Sequence, residues 1–398
     1  MTEAVKRQKS LSVDIPLLLT VVVSIIFGLL MLYSASWDFS LRNFGDPSLM
    51  FFKQVLWVML GVVVAIVLTR VDYHLLLKLA LWMMVAALLL LVAVLFSQDM
   101  RHGAVRSFLA GSIQPSELAK LVVIIYLSVW LFTKRDQIHN IQLGLIPLAF
   151  ILGTVGGLVL LQPDLSATIT IFMLGGLLFF LAGGELRQIV LFLVIAAVAG
   201  FLVIQLSPHG RERINSFLVG IKNPLEANYH VQRSLEAISK GDWLGVGIGR
   251  SSTKLTGLPF PPTDSIFAVI IEELGVAGGA GLIFLYGILL WRGIRIANRA
   301  PDLLGMLLAS GLTFWIIIEA VINMGMMVGL LPFAGNALPF VSAGGSNMLC
   351  MLAAIGILMN ISRHSRVNPE ETDWRKNGAT VDMRRRNGRR DLSRSGRP

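Results

Sequence analysis

The sequence predicts an all-α membrane protein with about ten transmembrane helices, both termini cytoplasmic, and a large extracytoplasmic loop between helices seven and eight. Three observations carry that prediction. Of 398 residues, 55% are hydrophobic and 15% charged, where a soluble domain carries about 25% charged residues. The apolar residues fall in long blocks, and about 18 in a row suffice for a helix to cross a hydrocarbon core of about 30 Å. Lys and Arg gather in alternate short loops, which sets orientation. A β-barrel would need alternating segments of about ten residues, and the sequence shows none.

The first span, 14–34, follows Lys6, Arg7 and Lys9. Its apolar run from Ile15 to Met31 exceeds a signal-peptide core and lacks a clean small-residue cleavage site, so it reads as retained. Further spans are expected at 51–70, 74–96, 115–133, 143–161, 165–182, 186–206, 265–291, 303–331 and 343–361. Arg70, Lys78, Lys134, Arg135, Arg187, Arg292, Arg295 and Arg299 then share one side with both termini. The opposite short loops carry only Arg42, Lys53, Arg101 and Arg106. In domain terms, 1–13 is a cytoplasmic N-terminus, 14–362 the membrane domain, and 363–398 a basic, disordered cytoplasmic tail. Eleven Lys and Arg in that tail contribute to a net charge of +10. Such a tail reads as lying on anionic headgroups rather than on nucleic acid. Cys350 is the only cysteine, so no disulfide forms within one chain.

Residues 207–264 form the long loop, with seven Lys and Arg. Loops of that length are usually functional. Tyr229 to Ser239 fits a short amphipathic helix, Gly241 to Gly249 is glycine-rich, and Pro259, Pro261 and Pro262 stiffen the approach to the eighth span.

Ionisable groups in or beside membrane spans are costly, which makes each a candidate for function. Gln114-Pro115-Ser116-Glu117-Leu118-Ala119-Lys120 opens a span, and Glu117 and Lys120 share a helical face. They read as an internal ion pair or as the polar wall of a substrate cavity, two readings that are compatible. Gln162-Pro163-Asp164 reads as a turn whose Asp caps the next helix. Asp264 ends the proline-rich stretch, and cap and catalyst are equally open readings from the residues alone. Glu272 and Glu273, deeper in the same span, read as hydrogen-bonding groups of the bundle. Gly329 to Ser346, charge-free and broken by Gly and Pro, is backbone that a membrane tolerates where it is buried or lines a cavity. There is no Gly-Lys-Ser/Thr loop, and the six His and one Cys show no metal-ligand spacing.

Together these segments resemble the SEDS family, the FtsW/RodA/SpoVE-type polymerases of peptidoglycan. The family carries an Arg followed by Q-P-S-E-x-x-K, then Q-P-D, T-D-x-I-F-A-x-x-x-E-E-L-G, G-L-L-P and L-P-F-x-S-x-G-G-S. All stand here in order between about Ile15 and Arg363. The resemblance implies ten helices and a glycosyltransferase that joins lipid II units by β-1,4 bonds outside the membrane, releasing undecaprenyl diphosphate. It puts the essential carboxylate on Asp264, as base or as ligand to a divalent ion (Mg or Mn), with no organic cofactor. Arg106, Arg213, Arg233, Arg250 and Lys254 are the implied cations for the pyrophosphate, and Glu117, Lys120, Ser342 and Gly345 further substrate contacts. The implied partners are a class B penicillin-binding protein transpeptidase and other division or elongation proteins of the inner membrane. Tyr33-Ser34-Ala35-Ser36 and Ser252-Thr253-Lys254-Leu255 lean toward the division (FtsW) type over the elongation (RodA) type. A lipid II flippase and a non-catalytic scaffold are the competing readings. Three departures stand out: Pro262 where the family has His, Ser265 where many members have an aromatic, and Ala343.

Overall fold

The computed structural model describes residues 13–96, 114–206 and 208–365. Arg101, Arg106, the N-terminal cations and the tail beyond Ser365 lie outside the described residues. Seven helices come first: α1 (Ile15–Phe44), α2 (Leu49–Arg70), α3 (Leu76–Leu95), α4 (Pro115–Thr133), α5 (Ile146–Leu161), α6 (Leu165–Leu181) and α7 (Leu186–Leu206). The long loop folds as α8 (Pro208–Lys222) and α9 (Tyr229–Gly241), and α10 (Ile266–Asn298), α11 (Leu303–Met327) and α12 (Gly345–Ser365) follow. Each predicted span has its helix. Eight are long and apolar enough to cross a membrane, and α6 and the start of α7 are shorter apolar helices.

Contacts at the helix ends show that the crossings alternate. On one face Arg292 of α10 pairs with Asp14 before α1 at 2.5 Å. On that face too, the Tyr73 hydroxyl donates to Asp302 before α11 at 2.9 Å, and Asn360 of α12 donates to Val71 O after α2 at 2.7 Å. On the other face Gln114 before α4 donates to Asp164 before α6 at 2.9 Å. Phe39 near the end of α1 lies 6.3 Å from Phe260 before α10. Everything that frames Asp264 belongs to this second face, here called the loop face. The interior belongs to α12, 94% of whose span is buried, while α2 is a peripheral helix with 17% of its span buried.

Some helix ends differ from expectation. The first span was expected to stop at residue 34, but α1 continues to Phe44, about 15 Å further at helical rise. No Pro or Gly interrupts that stretch, Arg42 pairs with Asp38 one turn back at 2.8 Å, and Phe39 leans on the loop. The expected helix at Tyr229–Ser239 is α9; α8 was not anticipated, because its mixed composition shows no clean apolar stripe.

The eighth span is broken inside. Gly275 in α10 has φ 71° and ψ −175°, a conformation essentially restricted to glycine. The glycine-rich loop segment after α9 fills the break. Val246 N donates to Glu272 O at 2.9 Å and Gly247 N to Glu273 O at 3.0 Å, while Val276 N and Ala277 N donate to Asp242 O and Trp243 O at 2.9 and 3.2 Å. Two carbonyls and two N–H groups at the break are thus paired with the loop, as a low-water environment favours. Gly275→Ala would place a Cβ against the Trp243 carbonyl in a strained conformation costing about 1–3 kcal/mol. It is expected to lower the melting temperature in detergent by several degrees; an unchanged melting curve would show that the break tolerates a side chain.

Candidate active site

Asp264 is positioned by a rigid turn. Pro259, Pro261 and Pro262 fix their own φ angles. Phe260 sits at φ 47°, and its carbonyl accepts from Thr263 N at 3.2 Å and Ser265 N at 3.3 Å. Ser265 Oγ closes the turn on Pro259 O at 2.8 Å. The serine that replaces the family's aromatic therefore acts as a staple.

Three donors from elsewhere then hold three consecutive carbonyls. Ala343 N donates to Pro262 O at 2.8 Å, Ser342 Oγ to Thr263 O at 2.6 Å, and Asn323 Nδ2 to Asp264 O at 3.0 Å. Thr263 and Asp264 remain half-buried, so the turn keeps access to the loop face. The Asp264 carboxylate abuts Gly335, where a Cβ would lie 3.2 Å from Oδ2.

Outside the turn, His230 of α9 is stacked between Phe333, 4.1 Å away, and Phe260, 6.0 Å away. Burial, and then the positive charge of Arg213, push this imidazole from 6.5 down to about 4. It is therefore neutral at pH 7 and grips the turn as an aromatic ring.

Beneath the turn lies a buried charge cluster. Lys120 pairs with Glu117 at 2.9 Å and with Glu319 of α11. Trp315 Nε1 donates to Glu319 at 2.6 Å. Asn347 of α12 donates to Glu117 at 2.9 Å and to Glu319 at 3.3 Å. Beside it, Ser116 Oγ and Gln114 Nε2 each donate to Asp164 at 2.9 Å, while Asp164 caps α6 through Ala167 N at 3.2 Å.

The predicted site residues separate accordingly. Glu117 and Lys120 are buried and bonded to each other, an ion pair rather than an open cavity wall. Ser342 has its hydroxyl committed to Thr263 O and to Leu338 N, the latter at 2.7 Å. Gly345 lies against the Trp57 ring at the start of α12, where a side chain has no room. Lys254 is tied to Glu273 at 2.6 Å and to Ser34 at 2.9 Å, with its side chain 7% exposed. Arg233 is held by Glu236 and by Thr256 O at 2.7 Å. These six therefore build the site's frame, with Glu117, Lys120, Ser342, Lys254 and Arg233 each bonded within the protein. Arg250 is exposed and Arg213 half-buried; Arg106 lies outside the described residues. Glu272 hydrogen-bonds to the loop, accepting from Ser251 Oγ at 2.5 Å and Ser252 N at 2.9 Å, whereas Glu273 hydrogen-bonds within the bundle as expected, accepting from Ser34 Oγ of α1 at 2.7 Å, and also meets Lys254 of the loop. No three His, Cys, Asp or Glu side chains converge on a metal-sized centre among the described residues. A divalent ion at Asp264 would thus have fewer than three His, Cys, Asp or Glu ligands among the described residues, which suits Mg²⁺ shared with substrate phosphates.

Sequence reasoning passed over Glu319, Asn323, Asn336 and Asn347. Glu319 carried a usable signal, an ionisable residue in mid-span; the asparagines carried none beyond polarity.

Two cavities open near the turn, of ≈750 Å³ against Tyr33, Trp37, Phe51 and Lys254 and ≈450 Å³ between α8, α9 and Phe333. Both are walled largely by apolar side chains, and Asp264 lines neither.

Lys120→Met strands two buried carboxylates and is expected to cost about 3–5 kcal/mol, seen as early melting in detergent and partly restored by adding Glu319→Gln. The stability that His230 contributes is complete above pH about 6.5 and is lost as pH falls toward about 4, because the unfolded imidazole takes up a proton that the folded one refuses. Protection of the α9 amides, taken relative to the intrinsic exchange rate at each pH, is expected to fall over that window in the wild type and to stay flat in His230→Phe.

The comparisons with known proteins agree across nearly the whole chain. The FtsW/RodA/SpoVE family model, a cell cycle protein family, matches residues 15–367. The chain is 37% identical over 363 residues to stage V sporulation protein E of Bacillus subtilis, covering 90% of this chain and 99% of that protein. It is 37% identical over 363 residues to a probable peptidoglycan glycosyltransferase FtsW of Trichlorobacter lovleyi, covering 89% and 94%. Among solved structures it is similar to a chain of a peptidoglycan synthase complex that coordinates polymerization and crosslinking (TM-score 0.73, 28% identity, 89% and 98% covered). It is also similar to the rod shape determining protein RodA of Thermus thermophilus (TM-score 0.66, 26% identity, 89% and 98% covered).

Proposed function

The chain belongs to the FtsW/RodA/SpoVE family and is a multi-pass membrane peptidoglycan glycosyltransferase; we propose that it polymerises lipid II at Asp264 on the outer face of the bacterial inner membrane. The observation that carries this reading is a half-buried carboxylate on a turn clamped at three successive carbonyls. The concentration of Arg70, Lys78, Lys134, Arg135, Arg187, Arg292, Arg295 and Arg299 on the opposite face supports an extracytoplasmic loop face.

In the proposed reaction a sugar hydroxyl of one lipid-linked disaccharide attacks the anomeric carbon of another. The C–O bond to the diphosphate breaks as the β-1,4 bond forms, and Asp264 takes the hydroxyl proton. Undecaprenyl diphosphate leaves as an anion already stable in water, so no paired general acid is needed, unlike in a glycosidase. Arg250 and Arg213 are the described cations best able to meet the diphosphate, Arg250 being exposed and Arg213 half-buried on the loop. A Mg²⁺ or Mn²⁺ would be held by Asp264 and phosphate oxygens and would neutralise the leaving group. Both polyprenyl tails stay in the bilayer throughout. The similarity to a chain of a peptidoglycan synthase complex supports a class B penicillin-binding protein as partner, and FtsW-named relatives support a division role.

Purified protein given lipid II, with and without the transpeptidase, is expected to make glycan strands. Asp264→Ala is expected to lower the rate by roughly 10²–10⁴-fold or more with an unchanged melting temperature. Product at the wild-type rate from that variant refutes the mechanism; flipping of lipid II in liposomes without polymer favours a transporter.

A further inference from the structure

We propose that Asn323 is a positioning residue for the Asp264 carboxylate, acting through main chain rather than by touching substrate; this rests on Asp264 being the base. Asn323 is fully buried in α11. Its Nδ2 donates to Asp264 O at 3.0 Å and to Asn336 O at 2.5 Å. Two carbonyl acceptors fix which end of the amide faces the turn, since Oδ1 there would oppose two oxygens.

The pair of acceptors matters because they belong to opposite sides of the carboxylate. Asp264 O belongs to the residue that carries it. Asn336 follows Gly335, whose main chain the carboxylate abuts. One amide therefore sets the spacing between the Asp264 backbone and the segment that limits where its side chain can point. Asn336 is itself tied back to α11 by Nδ2 donating to Glu319 O at 3.1 Å, so the anchor is rigid on both sides.

Its Oδ1 is buried with no protein hydrogen-bond partner among the described residues, a cost that a leucine of similar volume would exchange for two unpaired carbonyls, Asp264 O and Asn336 O. What leucine lacks is the double donation. A misplacement of the base by about 1 Å is enough to cost roughly 10²-fold in rate.

The test is steady-state polymerisation of lipid II by full-length Asn323→Leu, with Asp264→Ala and wild type run beside it. The expected result is a 10–100-fold fall in kcat per folded molecule with KM within about threefold, beside a lowered melting temperature because Asp264 O and Asn336 O lose their donor. A merely structural role lowers the melting temperature and leaves kcat per folded molecule unchanged, and that unchanged kcat overturns the proposal. If Asn323→Leu does not fold, Asn336→Ala keeps the carbonyl that Asn323 binds but frees it from its tie to Glu319 O, with an expected 3–10-fold fall in kcat; a wild-type kcat there overturns the rigid anchor on which the positioning role depends. Activity in Asp264→Ala refutes the base itself, whereas an inactive Asp264→Ala beside a fully active Asn323→Leu refutes only the positioning role.

Discussion

Three carbonyls in a row, those of Pro262, Thr263 and Asp264, precede the first turn of α10 and so have no partner within that helix. At the margin of a bilayer, water is a poor substitute, and each unpaired carbonyl is expensive. The donors come from Ala343, Ser342 and Asn323, that is, from the connection before α12 and from α11. Satisfying the backbone of one turn thus brings three distant parts of the chain together around a single carboxylate. The breaks in 329–346 serve this purpose: Gly335 at φ 61° and Phe340 at φ 64° bend the segment so that its donors reach the turn.

The height of that assembly is set below it. Apolar side chains give helices little reason to choose one register over another within lipid, so polar contacts have unusual influence there. Lys120, Glu319 and Asn347 come from α4, α11 and α12, the three most enclosed helices. Their cluster admits one register between these helices. Asn323 lies one turn beyond Glu319 on α11, about 6 Å along the axis. The cluster therefore sets the level at which the Asp264 turn is caught, although none of its charged groups bonds to that turn.

Much of this was legible in the chain, for reasons that differ by residue. Ten spans were readable because a helix must cross about 30 Å of hydrocarbon with every backbone group paired. Asp264 was readable as a candidate because a carboxylate beside a span demands explanation, and a family motif ranked it above Asp164, which the structure uses as a cap. The cations separate only in space, because charge says which side a residue occupies and nothing about whether it is already paired. Lys254 and Arg233 look like anion ligands in sequence and are consumed by Glu273 and Glu236 in space. Asn323 and Asn336 were out of reach, since their roles depend on contacts 59 and 17 residues away along the chain.

The long loop belongs to the same frame rather than hanging from it. Glu272 and Glu273 each bind the loop twice, by carbonyl and by carboxylate: Glu272 to Val246 N and to Ser251 and Ser252, Glu273 to Gly247 N and to Lys254. With α9 packed over the turn through His230, the stretch from Tyr229 to Leu274 closes on itself at both ends. A closed circuit of this kind has little slack, so a displacement of α9 cannot be absorbed before it reaches Phe260 and the residues beside Asp264. A flexible loop would leave the carboxylate free to sample many positions, and the entropy of ordering it would fall on the reaction step. Here that ordering is completed when the protein folds, which is why a break in a membrane helix, otherwise a liability, is kept and filled.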